Sequence, residues 1–358
     1  MTIDGVQLGI IEGFYGRPWE HDARLHVVTR LAAAGYSFYH YAPKADPYLR
    51  ARWDEPFPDR EAEELRRLSA SCRAIGVRFG VGLSPFQIFH RFDSAARAAL
   101  AAKISDLDAV GIDDLAVLFD DMRGDLPDLA RVQADITHWI AGRTKARRVI
   151  MCPTYYSDDV VLDRVFGRRP EGFLADLGGA LDPAIHVYWT GPEVCSREIS
   201  PGHLEGVADR LRRKPFLWDN YPVNDGPRMS RHLHLRAFTG RPWTIARRVE
   251  AHAVNPALQP MLSLVPALTL AAAYRDGDRH CYHAAFREAA VEILGPEFAR
   301  SLEGDVLFLD DSGRDRLDEA TRSRLRARYE AIDHPAAREI TAFLDGAYET
   351  SSLDVETQ

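Results

Sequence analysis

The chain is poor in several features that would have decided its class at once. Its 358 residues hold only four cysteines. Cys72, Cys152, Cys195 and Cys281 lie far apart with no C-x-x-C pair, so no disulfide framework or thiolate zinc site is readable, and reduced thiols in a cytoplasmic protein are expected. No apolar stretch reaches the roughly 18 residues that a membrane helix needs, and the start, Met1 to Gly5, lacks the basic and apolar regions of a signal peptide. The longest apolar segment, Met261 to Tyr274, carries Ser263 and Pro266 and reads as a core helix. Positive charge is also short: 45 Lys and Arg against 53 Asp and Glu leave a net charge of -8. That balance argues against a surface built to coat nucleic acid or an anionic membrane. H-E-x-x-H, G-x-S-x-G, P-loop and G-x-G-x-x-G patterns are missing. The close histidine pairs, His232 with His234 and His280 with His283, stand among Arg, Leu and Tyr and read as packing or surface residues. Neither a metal nor an organic cofactor is expected.

What is present is a period. Eight short apolar or aromatic runs each precede a longer segment: Gln7 to Phe14, Ser37 to Ala42, Val77 to Leu83, Leu115 to Phe119, Arg148 to Cys152, Ile185 to Trp189, Pro215 to Trp218 and Arg248 to Val254. Their spacing of roughly 30 to 40 residues suits one strand, one helix and two loops. His21 to Ala34 and Glu61 to Ile75 carry apolar positions at helical spacing with charge on the opposite face. The expectation is an α/β fold, a (β/α)8 TIM barrel over residues 1–275, with a helical C-terminal extension over 276–358. Within that extension, helices are expected over about His280 to Leu294, Asp318 to Ile332 and Ala336 to Tyr348, serving as a cap or as a homodimer contact. A doubly wound open sheet is the alternative, without its usual glycine-rich turn.

A barrel of this type keeps its active site where the strands end. There the chain places Glu12 to Trp19, Tyr41 to Asp46, Asp120-Asp121, Pro153 to Tyr156, Trp189 to Pro192, Trp218 to Tyr221 with Asn224-Asp225, and Asn255-Pro256. Flat aromatic faces beside Asp, Asn and Lys are what a sugar site needs, although any one of those aromatics could simply close the barrel. Asp120-Asp121 is the most pointed feature. Adjacent carboxylates at the mouth of a barrel repel each other, so one is expected to give up its proton before the other, supplying an acid and a base from one residue type. Asp113-Asp114, Asp158-Asp159 and Asp310-Asp311 act as controls: the first precedes a strand, the second opens a helix, and a turn or cap explains the third.

At these residues the chain resembles glycoside hydrolase family 84, the protein O-GlcNAcase and bacterial β-N-acetylglucosaminidase family. The likeness runs from about Leu8 to Tyr274 and rests on Glu12 to Trp19, Tyr41-Ala-Pro-Lys44, Phe119-Asp-Asp121, Pro153-Thr154, Trp189-Thr-Gly-Pro192, Trp218-Asp-Asn220 with Asn224-Asp225, and Asn255-Pro256, all in order. The resemblance implies retaining, substrate-assisted hydrolysis of terminal β-linked GlcNAc through an oxazoline, with Asp120 accepting the acetamido N–H and Asp121 as general acid and then base. It further implies Tyr156 beside the anomeric centre, Trp218 walling the acetyl pocket and Asn220 near the acetamide, with Asp225, Asn255, Lys44 and the Gly13 carbonyl on the hydroxyls. Thr190 joins the lining on the same ground. The chain departs from the family in having Tyr155 and Ala45 where an acid is common, which leaves the choice between Tyr155 and Tyr156 open. The expected partner is a GlcNAc-bearing glycoprotein, glycopeptide or oligosaccharide. Rival readings are a hexosaminidase acting on oligosaccharides and a catalytically silent GlcNAc-binding protein on the same barrel.

Overall fold

The computed structural model describes residues 5–350. Strands β1 (Gln7–Glu12), β2 (Tyr36–Tyr41), β3 (Arg78–Leu83), β4 (Asp114–Leu118), β5 (Arg148–Cys152), β6 (His186–Trp189), β7 (Phe216–Asp219) and β8 (Ala251–Val254) form one closed parallel barrel in chain order, with β8 returning to β1. Mainly apolar runs form these strands because the barrel interior covers one face and helices cover the other, and the polar residues within them, Ser37, His40 and His252, are buried too. All eight expected strands are present. The largest displacement is at β8, which starts at Ala251 rather than Arg248 because a 3-10 turn, Trp243–Arg247, occupies the approach.

Helices α1 (His21–Ala33), α2 (Asp59–Ala74), α3 (Ser94–Val110), α4 (Leu129–Ala141), α5 (Val160–Phe166), α6 (Phe173–Ala180), α7 (Pro201–Leu211) and α8 (Pro260–Asp276) surround the barrel. In α2 the stripe of Leu65, Leu68 and Cys72 is buried, while Asp59 and Glu61 at the first turn and Arg73 at the last suit the helix dipole. Two connections depart from one helix per strand. The β5 to β6 link holds two short helices, interrupted around Gly167 and Pro170. The β7 to β8 link holds no α-helix, only 3-10 turns at Met229–Arg231 and Trp243–Arg247, because Pro222, Gly226, Pro227, Gly240 and Pro242 interrupt any helical run. That long link is free to shape the mouth of the barrel.

Every side chain from Met261 to Tyr274 in α8 is buried. The C-terminal helices explain why: α9 (Tyr282–Leu294), α10 (Pro296–Val306), α11 (Glu319–Glu330) and α12 (Pro335–Leu344) follow, and α8 packs against α1, α9 and α12. Helix α10 was not among the expected elements, although Gly295-Pro296 is a stop signal followed by a start signal. The extension shares the barrel's buried apolar cluster. Glu339 of α12 accepts the Met261 and Leu262 amides, at 2.9 and 3.0 Å, and so caps α8 from another helix. Asp310-Asp311 does more than form a turn. In the π-helical turn Leu307–Ser312, Asp310 accepts the amides of Leu235 and Arg236 at 3.0 and 3.3 Å, and Asp311 pairs with Arg236, clipping the β7 to β8 link to the extension. No helix among the described residues is long and apolar enough to cross a membrane.

Candidate active site

At the last position of β1, Glu12 is fully buried and anchors the loop that follows. Arg24 of α1 donates to both of its oxygens, at 2.7 and 2.8 Å, the Tyr39 hydroxyl donates to it as well, and the Trp19 amide reaches it at 3.3 Å. This fixes Gly13 to Trp19 across the barrel mouth. A Cβ on Gly13 would collide with the Trp218 indole, so only glycine lets the backbone approach the ring this closely. The Gly13 amide donates to Asn255 Oδ1 at 3.2 Å. Two residues on, the Tyr15 amide donates to Asp225 Oδ2 at 2.8 Å, and its hydroxyl donates to Asp121 Oδ2 at 2.7 Å.

The β4 ladder continues one step past the strand, where the Phe119 amide donates to the Cys152 carbonyl at 2.9 Å. The chain then leaves the barrel through Asp120 and Asp121. Asp121 adopts a left-handed backbone, φ +56°, a conformation that Asp tolerates better than most residues. Asp120 is buried and forms an ion pair with Lys44, itself buried at the end of β2. Its other oxygen, Oδ1, is buried and has no hydrogen-bond partner among the described residues. Asp121 accepts from Tyr15 and, at 3.3 Å, from the Tyr156 hydroxyl.

These groups line one cleft of about 480 Å³. All ten residues expected at the site lie on it: Gly13, Lys44, Asp120, Asp121, Tyr156, Thr190, Trp218, Asn220, Asp225 and Asn255. Tyr156 is the tyrosine that faces it. Tyr155 turns away, donates to the Gly167 carbonyl at 2.6 Å and packs edge-on against Phe173. Five further residues line the cleft, Tyr15, Cys152, Val194, Cys195 and Val223. The first two stand at strand ends and were open to the same reasoning, whereas the others arrive from loops with no local signal.

Two polar residues are already engaged. Asn220 Oδ1 accepts from Trp218 Nε1 at 3.0 Å and from Asn255 Nδ2 at 2.9 Å, and its own amide donates to the Val194 carbonyl at 2.7 Å. Thr190 donates to the Glu193 carbonyl at 3.0 Å. The Asn220 bond holds the Trp218 indole in place, with Tyr188 edge-on at 5.1 Å.

Burial first, and then the Asp121 charge, push the Tyr15 and Tyr156 hydroxyls well above the usual phenol range, so both remain proton donors. Burial, followed by the Asp120 charge, raises the Cys152 thiol, and burial with Asp225 raises Cys195 to about 12. Thiols held in this state are poor nucleophiles. Among the described residues of the cleft, acid–base work is left to its carboxylates. No group of three His, Cys, Asp or Glu among the described residues could hold a metal ion.

The family model for beta-N-acetylglucosaminidase matches residues 8–304. Protein O-GlcNAcase of Mus musculus is 30% identical over 276 residues, covering 75% of this chain and 30% of that protein, and the Rattus norvegicus protein of the same name matches to the same extent. The chain thus matches less than a third of the length of these relatives. A solved structure of a mutant Thermobaculum terrenum O-GlcNAc hydrolase superposes with a TM-score of 0.78 at 29% identity, covering 94% of this chain and 80% of that one.

Proposed function

The chain belongs to the β-N-acetylglucosaminidase family, and from that premise we propose that it is a retaining, exo-acting enzyme that removes terminal β-linked GlcNAc by substrate-assisted catalysis. The observation that carries this reading is the bare Asp120 Oδ1. A buried acceptor without a donor costs about 1–3 kcal/mol, and the acetamido N–H of a bound GlcNAc would satisfy it. With Lys44 on the other oxygen, Asp120 stays an acceptor and turns the acetamido carbonyl towards the anomeric carbon.

In the first step the acetamido oxygen attacks that carbon and the bond to the leaving oxygen breaks, with Asp121 supplying the proton the leaving group takes. An oxazolinium then loses its N–H proton towards Asp120 to give the oxazoline. In the second step Asp121, now a carboxylate, takes a proton from water as it adds to the anomeric carbon, while Asp120 returns its proton to the nitrogen, so that the acetamide is restored with retention. Tyr15 and Tyr156, as donors to Asp121, support its charge between the two steps. Trp218 walls the acetyl group. Asn220 and Asn255 act through Trp218 and Gly13, while Asp225 and Lys44 hold the sugar hydroxyls. The acceptor is Ser or Thr of a protein, and the four unpaired cysteines favour a reducing, cytoplasmic setting.

The test is release of an aryl leaving group from the 2-acetamido-2-deoxy-β-glucoside and from the plain β-glucoside, with the product anomer followed by NMR. Cleavage of the acetamido compound alone, giving the β-anomer first, is expected. Binding of GlcNAc with no turnover of either compound would instead make the barrel a silent sugar-binding protein.

A further inference from the structure

A second, wider cleft adjoins the sugar pocket. Asp121 and Tyr15 border both clefts, whereas Asp120 lines only the smaller. If Asp121 protonates the leaving oxygen, the leaving group departs into this second space. Its walls are mixed: Phe86, 38% exposed, and Phe166 supply apolar surface, and Arg50 and Arg123 supply charge.

Arg50 is the unusual member. Its Nη2 donates to the backbone carbonyl of Asp121 at 3.2 Å, and its guanidinium lies 5.9 Å from the centre of the Tyr15 ring and 5.0 Å from that of Phe86. Nη1 is buried and has no hydrogen-bond partner among the described residues. The other cations of the cleft each have a carboxylate partner, Lys44 in Asp120 and Arg123 in Asp125. Among the described residues that line the cleft, Asp121 is the one carboxylate, against Lys44, Arg50 and Arg123, so basic side chains predominate there in a chain whose net charge is -8.

We propose that this cleft receives a peptide acceptor with an acidic residue beside the glycosylated Ser or Thr, its carboxylate meeting Arg50 Nη1. This rests on the function proposed above and adds its acceptor preference. Arg50 is a specificity residue that also steadies the Asp121 backbone.

Three glycopeptides carrying β-GlcNAc on one serine, identical except for Glu, Gln or Lys neighbours, test it alongside a neutral aryl GlcNAc glycoside. For wild type, kcat/KM with Glu should exceed that with Lys by about tenfold, and the ratio should shrink as salt is added. Arg50→Met should bring the ratio to within about twofold whatever it does to the aryl glycoside, and Arg50→Lys should preserve most of it. A merely structural role for Arg50 would lower all rates together and leave the ratio unmoved. Equal rates on the three peptides, a preference for Lys, a preference that survives Arg50→Met, or aryl cleavage without peptide cleavage would each overturn the proposal. Failure to cleave the aryl glycoside would overturn the enzymatic reading itself.

Discussion

Asp120 and Asp219 are buried carboxylates at the C-terminal ends of β4 and β7, and each faces a buried cation. Asp219 is complete. Its Oδ1 accepts from Arg241 Nη2 at 2.6 Å, its Oδ2 accepts from Arg241 Nε at 2.7 Å and meets His252 Nε2 at 2.9 Å, and His252 Nδ1 in turn meets the Tyr274 hydroxyl at 2.8 Å. Burial alone would raise the Asp219 carboxyl, but the Arg241 charge and the bonds from Arg241 and His252 outweigh it and hold the group down at about 2. Asp120 has Lys44 on one oxygen and nothing on the other among the described residues. The same fold thus finishes one carboxylate and leaves its counterpart unfinished. Asp219 spends its bonds within the structure, whereas Asp120 keeps one oxygen that the proposed mechanism assigns to the acetamido N–H.

The sharpest way to widen that contrast acts beside Asp120. Asp121→Asn, which keeps a residue tolerant of the left-handed backbone, should lower kcat/KM by about 10²–10⁴ on leaving groups that need a proton. Little of that loss should remain on a dinitrophenyl leaving group, and the urea midpoint should stay near wild type. At the β7 end the effect should fall on stability instead. Asp219→Asn leaves Arg241 buried without its full partner and should cost about 3–5 kcal/mol in denaturant unfolding. Asp120→Asn gives up fewer bonds and should lose less; a loss at Asp120 as large as that at Asp219 would break the comparison.

Glu339 extends it to a third carboxylate, finished by the amides of α8. Burial lifts it to about 8 despite those two bonds. A carboxyl raised on folding contributes stability that is complete below its unfolded value, about 4.3, and is lost as pH rises towards 8. Across that window wild type should weaken relative to Glu339→Gln by up to about 1.4 kcal/mol per pH unit, as read by urea denaturation at several pH values. The smallest effect is expected from Tyr156→Phe, which removes one neutral donor to Asp121 and should lower kcat by about two- to tenfold. An unchanged rate would show that Tyr15 alone serves Asp121.

The barrel was legible because each parallel strand is a short, mainly apolar or aromatic run recurring at a βα period, and Asp120-Asp121 stood out because it alone of four Asp pairs falls at a strand's C-terminal end. The partners were not legible. Gly13 meets Asn255 across 242 residues and Tyr15 meets Asp225 across 210, and no local pattern encodes such closures. For the same reason Asn220 and Asn255 read as sugar contacts, although much of their bonding capacity goes to each other, Trp218, Gly13 and Val194. The clip from Asp310 to Leu235 and the bare nitrogen of Arg50 are likewise products of tertiary packing.

The most direct measurement is calorimetric binding of GlcNAc and glucose to wild type and to Asp120→Ala. If Asp120 Oδ1 is held for an acetamido N–H, wild type should prefer GlcNAc by about ten- to a hundredfold, the worth of one hydrogen bond to a charged group, and the variant should bind both sugars almost equally. A preference for GlcNAc that survives intact in Asp120→Ala would contradict the account.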